Sequence, residues 1–81
     1  VIVVLSKQAK KDIRQIPNPY KSLVLRKLLQ LSKDPNSLDI KELTGSLNGC
    51  FRLRIGVYRA LFVKRYKCFI VSRVVPRGSA Y

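Results

Sequence analysis

From Cys50 to Val75 the chain is strand-like almost without interruption, and this run limits what the rest can become. Cys50 to Ile55 alternates, with Phe51, Leu53 and Ile55 on one side and Arg52 and Arg54 on the other. That is the period of a strand with one dry face. Gly56-Val57 reads as a two-residue hairpin turn, with glycine at the first central position as a type II′ turn requires. Tyr58 to Lys64 is the next strand, Arg65-Tyr66 the second turn and Lys67 to Val75 the last strand, stopped by Pro76. Three strands joined in this way form an antiparallel meander. One of its faces must be covered by something apolar.

The cover comes from the first half of the chain. Val1 to Leu5 is a continuous aliphatic run and reads as a buried strand. Ser6 is placed to cap a helix over residues 7–16, in which Ala9, Ile13 and Ile16 recur on one side among lysines. Pro17 stops that helix. Asn18-Pro19 starts another, with Asn18 as cap and Pro19 in the first helical position. Leu25, Leu28 and Leu29 form the centre of its apolar stripe, and Leu23, Val24 and Leu31 broaden it. It ends near Lys33, because Asp34 precedes Pro35 and is pushed out of the helical region. Pro35 to Gly49 reads as a connecting segment whose Leu38, Ile40, Leu43 and Leu47 tack it to the edge of the core. The expected architecture is α+β and a single domain over residues 1–81. A small antiparallel sheet carries an N-terminal two-helix hairpin packed on one face, in the order β-α-α-β-β-β. The opposite face has no element left to cover it.

Composition narrows the chemistry. The chain has no His, which removes the commonest general base and the usual zinc ligand. Its two cysteines, Cys50 and Cys68, fall in strands that a third separates. They read as small half-buried hydrophobes of a reducing, cytoplasmic compartment rather than a disulfide. The four acids, Asp12, Asp34, Asp39 and Glu42, show neither paired-carboxylate nor magnesium-site spacing. There is no glycine-rich phosphate loop, no apolar run of the length that crosses a membrane, and no residue pattern that calls for a cofactor.

What remains is charge. Seventeen Lys and Arg against four Asp and Glu give a net charge of +13, while 47% of the residues are hydrophobic, as in an ordinary folded domain. A folded basic module of this kind points to a polyanionic partner. Residues 49–81 hold eight basic groups and no acid; six of the eight are arginines, the residue suited to bidentate phosphate contacts. Arg52 and Arg54 point the same way from one strand. If Ile55 pairs with Tyr58 across the turn, Arg54 lies opposite Arg59, and Arg77 can join from beyond the last strand. Arg65, Arg73 and Lys41 extend the same basic surface toward RNA. Arginine stays protonated and cannot serve as a base. The cluster could bind a phosphodiester or stabilise charge on it during attack. Proton transfer would fall to another group, and Tyr81, beside Arg77 in sequence, is the candidate, since nearby positive charge favours phenolate. The simplest reaction open to these residues is RNA cleavage by the substrate's own 2′-hydroxyl. Simple binding of RNA is the other use of the same surface.

"GCFRLRIGVYRALF" from Gly49 to Phe62, preceded by "KELTGSLNG" and followed by "RVVPRGSAY", resembles the RelE/ParE superfamily of toxins from toxin–antitoxin pairs. The resemblance spans almost the whole chain and implies a RelE-like fold. In its RelE branch it implies metal-independent cleavage of messenger RNA, typically in the ribosomal A site, and so arrest of translation and growth. It assigns Arg52, Arg54, Arg59 and Arg77 to phosphate stabilisation and Tyr81 to the general base. It also implies three partners: messenger RNA, the ribosome, and a cognate antitoxin that is acidic and partly disordered when alone. Two departures stand out. Pro76 occupies the position where many relatives carry His or Lys, and arginine replaces lysine on the strand before the Gly56-Val57 turn. A ParE-like inhibitor of DNA gyrase is a second reading of the same resemblance, but it does not need Arg59, Arg77 and Tyr81 together.

Overall fold

The computed structural model describes residues 1–45 and 49–79. The expected anchor Leu47 and the expected base Tyr81 lie outside the described residues. The order is β1 (Ile2–Leu5), α1 (Lys7–Arg14), α2 (Tyr20–Lys33), a 3-10 turn (Pro35–Ser37), β2 (Ile40–Glu42), β3 (Cys50–Ile55), β4 (Tyr58–Arg65) and β5 (Cys68–Pro76). The strands form one sheet in the order β1-β5-β4-β3-β2. The α+β architecture and the helical hairpin are as expected.

The sheet departs from expectation in two ways. It is mixed rather than wholly antiparallel, because β1 pairs with β5 in parallel, Ile2 opposite Cys68 through Leu5 opposite Val71. A strand that precedes the hairpin has only the sheet's two edges open to it, and at the β5 edge chain direction makes the pairing parallel. The segment read as a connection also contributes β2, three residues paired antiparallel with β3. A strand that short leaves no alternation to read.

Ser6 caps α1 as its position suggested. Its Oγ accepts from the Ala9 amide at 3.0 Å and donates to the Ser72 carbonyl at 2.9 Å, tying the helix start to β5. Ala9, Ile13 and Ile16 are buried. Helix α2 starts one residue later than expected, at Tyr20. Asn18 does not cap it; its Oδ1 instead accepts from Ser22 Oγ at 3.4 Å. The centre of the α2 stripe is Val24, Leu28 and Leu31, all buried, whereas Leu25 and Leu29 are 47% and 56% exposed. The helix is rotated away from the face that leucine spacing alone selects.

The core lies between this hairpin and one face of the sheet. Leu53 and Ile55 of β3, Ala60 and Phe62 of β4, and Phe69, Val71 and Val74 of β5 meet the helices there. Phe62 is central, with ring centroids 5.6 Å from Phe51 and 5.1 Å from Phe69. No helix among the described residues is long and apolar enough to cross a membrane.

Candidate nucleic-acid interface

The Gly56-Val57 turn builds the site. Gly56 has φ +58°, a conformation open to glycine and costly for other residues. The turn sets Ile55 opposite Tyr58, and therefore Arg54 opposite Arg59, in the register read from the sequence. The Arg54 amide donates away from β4, to the Asp39 carbonyl at 3.1 Å. The Arg54–Arg59 pair is thus a non-hydrogen-bonded one, in which opposing Cα atoms come within about 4.5 Å and side chains are closest. Two guanidinium groups held in this way repel each other unless an anion lies between them.

Three further groups lie beside this pair. Arg52 lies two residues before Arg54 on the same face, about 7 Å along the strand. Lys41 of β2 sits directly across from Arg52. Arg77 leaves the end of β5, and its amide donates to the Val57 carbonyl at 2.7 Å, which fastens it to the turn that carries Arg54 and Arg59. Val75 pairs with Arg59 and lies on the same side of the sheet. This side faces away from the helices. Leu61 and Val75 lie on it among the arginines and are only 4% and 6% exposed. Arginine stems can shelter apolar neighbours while their charged ends stay in water.

The cluster has one acidic neighbour among the described residues. Arg52 Nη2 is 3.9 Å from Asp39 Oδ1, and the Arg52 side chain is 17% exposed against 61% for Asp39. At that distance and exposure the pair is a weak tether. It leaves the rest of the surface positive.

Two expected RNA contacts stand apart. Arg65 is on the same face of β4 as Arg59 but six residues further along, about 20 Å away. Arg73 is turned toward α1. Its Nε donates to Asp12 Oδ2 at 2.8 Å and its Nη2 to Oδ1 at 3.4 Å. Asp12 also accepts from the Val74 amide at 2.9 Å and from Gln8 Nε2 at 2.9 Å. Burial pushes the Asp12 carboxyl up. The hydrogen bonds from Arg73, Val74 and Gln8, together with the Arg73 charge, outweigh that and hold it below the ordinary carboxylate range. The reading from sequence missed this junction. Its only trace there is a lone aspartate amid the lysines of α1.

Among the described residues no group of three or more Cys, Asp or Glu could hold a metal ion. The two cysteines are free thiols on β3 and β5, with β4 between them. The second turn falls one residue later than expected: Arg65 pairs with Cys68, so Tyr66 and Lys67 make the turn, with Lys67 at φ +56°. No glycine or asparagine marks it.

This arrangement can be set beside known proteins. No family model matches the sequence, and no curated protein matches it. Solved structures do. The toxin–antitoxin complex RelBE2 from Mycobacterium tuberculosis contains a chain 26% identical, with TM-score 0.83, over 94% of this chain and 96% of that one. The archaeal RelE–RelB complex from Pyrococcus horikoshii gives 25% identity and TM-score 0.77, over 98% and 97%. The chain belongs to the RelE superfamily. The isolated RelE toxin of E. coli shares this fold at TM-score 0.73 and 15% identity. As a RelE-superfamily chain it carries an arginine-lined sheet face whose positions follow from one turn and one register.

Proposed function

We propose that the chain is the toxin of a toxin–antitoxin pair and cleaves messenger RNA, in the ribosomal A site, by attack of the RNA's own 2′-hydroxyl. The observation that carries this reading is the register that sets Arg54 opposite Arg59, with Arg52 two residues before Arg54 and the Arg77 amide bonded to the turn between the two strands. Similarity to chains of RelBE2 and archaeal RelE–RelB complexes supports the toxin role and an antitoxin partner.

In this mechanism the cluster grips the scissile phosphate and its neighbours. As the 2′-oxygen attacks phosphorus, negative charge accumulates on the non-bridging oxygens. Guanidinium groups already in place stabilise that charge without reorganising. Arg54 and Arg59 carry most of this task, because the Gly56-Val57 turn holds them opposite each other on β3 and β4. Arg77 closes the site from the tail, and Arg52 with Lys41 holds the adjoining phosphate. Tyr81 takes the proton from the 2′-hydroxyl. The bond from phosphorus to the 5′-oxygen breaks, that oxygen takes a proton from water to become the 5′-hydroxyl of the downstream fragment, and the upstream fragment ends in a 2′,3′-cyclic phosphate; the protein needs no metal for the step.

The test is primer extension on a reporter transcript after induction, with its start codon intact or mutated. Cuts phased to codons and present only when the transcript is translated are expected. Arg59→Ala and Arg77→Ala should abolish them, and Tyr81→Phe should slow cleavage on programmed ribosomes by about a hundredfold or more. Intact RNA accompanied by broken or relaxed DNA would select gyrase inhibition and overturn the nuclease reading.

A further inference from the structure

The two hairpin turns stand at opposite ends of β4 and are built in opposite ways. Gly56-Val57 carries a glycine where the backbone demands one. Tyr66-Lys67, between β4 and β5, carries none, and Lys67 holds φ +56° against the preference of its side chain. Asparagine or glycine would make such a turn without that strain. The same turn leaves an aromatic ring in water. Tyr66 is 88% exposed, more than any other large hydrophobic side chain among the described residues. A strained backbone and a bare ring at adjacent positions both destabilise the fold, and departures of this kind gather at functional sites.

Cations flank the ring. Lys67 Nζ lies 5.4 Å from its centre, within the range of a cation–π contact. Arg65 precedes it, with Nη1 donating to the Lys64 carbonyl at 3.3 Å. Lys64 is engaged elsewhere, its Nζ 4.3 Å from the centre of the Phe51 ring. Neither Arg65 nor Lys67 has an acidic partner within ion-pair distance among the described residues. An exposed ring between two cations is the arrangement on which single-stranded nucleic acid stacks: the ring takes a base and the cations take the phosphates beside it. An acidic peptide would meet the cations and leave the ring without a role. The turn is also separate from the arginine cluster. Arg65 lies about 20 Å along β4 from Arg59, and the same face of β4 carries only Leu61 and Val63 between them.

We infer that the β4–β5 turn is a second RNA site, a stacking platform that takes one unpaired base from RNA remote from the linkage held by the arginine cluster. Tyr66 stacks on the base, and Arg65 and Lys67 hold the phosphates on either side of it. The base comes either from the flank of the strand that the arginines hold or from an unpaired stretch of ribosomal RNA; the chemistry is the same, and the experiment separates the two. The inference does not rest on the nuclease reading, since a chain that only bound RNA would use the platform in the same way.

Two probes are used with the full chain: a 2′-O-methyl RNA of about 16 nucleotides, long enough to reach both sites, and ribosomes that carry no messenger. Tyr66→Leu keeps apolar bulk but removes the π face. It should leave the melting temperature unchanged and weaken binding to one of the probes at least about fivefold. Tyr66→Phe keeps the ring and should bind as the parent does. Weaker binding of the free RNA assigns the base to the strand itself; weaker binding of ribosomes alone assigns it to ribosomal RNA. Tyr66→Trp supplies the direct readout, because the chain has no other indole. Its fluorescence should be quenched by the probe that depends on Tyr66. The inference is overturned if Tyr66→Leu binds both probes as the parent does, if Tyr66→Phe binds as weakly as Tyr66→Leu, or if neither probe quenches the indole. Quenching by polyglutamate as strong as that by RNA would assign the turn to an acidic protein and likewise overturn it.

Discussion

A single carboxylate fastens α1 to the sheet. β1 ends at Leu5, opposite Val71, and beyond that point the edge of β5 would show an unpaired amide at Val74. Asp12 accepts that amide and the Arg73 guanidinium together. Asp12→Ala leaves the Val74 N–H without its acceptor in a half-buried place. We expect a loss of about 2 kcal/mol in urea unfolding at pH 7, or a melting temperature lower by about 8–16 °C. The pH dependence has a definite sign. A carboxyl whose folded pKa lies below its unfolded value near 3.8 stabilises above that value, and the contribution fades as pH falls through the lower, folded one. The stability difference between the parent and Asp12→Asn should therefore be constant from pH 7 to pH 5 and shrink below 3.8. A difference that grows in acid would contradict it. The Arg54–Arg59 pair was legible in the sequence because only a two-residue turn separates the partners. Asp12 and Arg73 are 61 residues apart. No local rule joins them; the pairing arises only once α1 lies along β5.

At the scale of elements, the helices and the hairpin that bears the arginines could be read from periodicity and one glycine. The exact face of α2 could not, since Leu25 and Leu29 have the same spacing as the residues that are buried. Nor could β2, whose partner residues and hydrophobic pattern are too few. The two β-hairpin turns make opposite predictions. Gly56 adopts φ +58°, and a Cβ there would also meet Leu23 Cδ2 at 3.4 Å. Gly56→Ala should cost at least about 1 kcal/mol and loosen the register that sets Arg54 opposite Arg59, so activity should fall with stability. Lys67 adopts φ +56° with a side chain that disfavours it. Lys67→Gly relieves that cost at the price of some unfolded-state entropy, for a net gain of about 0.5 kcal/mol. Thermal melts check both, and a turn substitution that shifted both in the same direction would show that φ does not govern them. The unmarked second turn also explains why its position was read one residue early: strand-like residues run through it without a break.

At the scale of the molecule, charge is divided by surface. The helices carry mainly lysine, with Asp12 turned to Arg73 and Gln8 bonded to Asp12. The open sheet face carries arginine over Leu61 and Val75. The β1 edge is aliphatic at every position. A chain organised in this way should bind RNA through a small, countable set of phosphates rather than through diffuse attraction of all seventeen basic groups. Each phosphate contact to single-stranded RNA releases counterions and contributes about −0.7 to the slope of log affinity against log salt. Two phosphates, the scissile one held by Arg54, Arg59 and Arg77 and the adjoining one by Arg52 with Lys41, would give a slope of about −1.4, a loss of roughly twenty-five-fold for each tenfold rise in salt. The substrate for this measurement is a short 2′-O-methyl RNA, which has no hydroxyl to attack and stays intact. Arg77→Ala should weaken binding at every salt concentration, whereas Arg65→Ala, some 20 Å along β4, should leave affinity nearly unchanged. Equal effects of the two substitutions would mean that the whole basic surface attracts RNA and that the cluster around the Gly56-Val57 turn has no special hold on it.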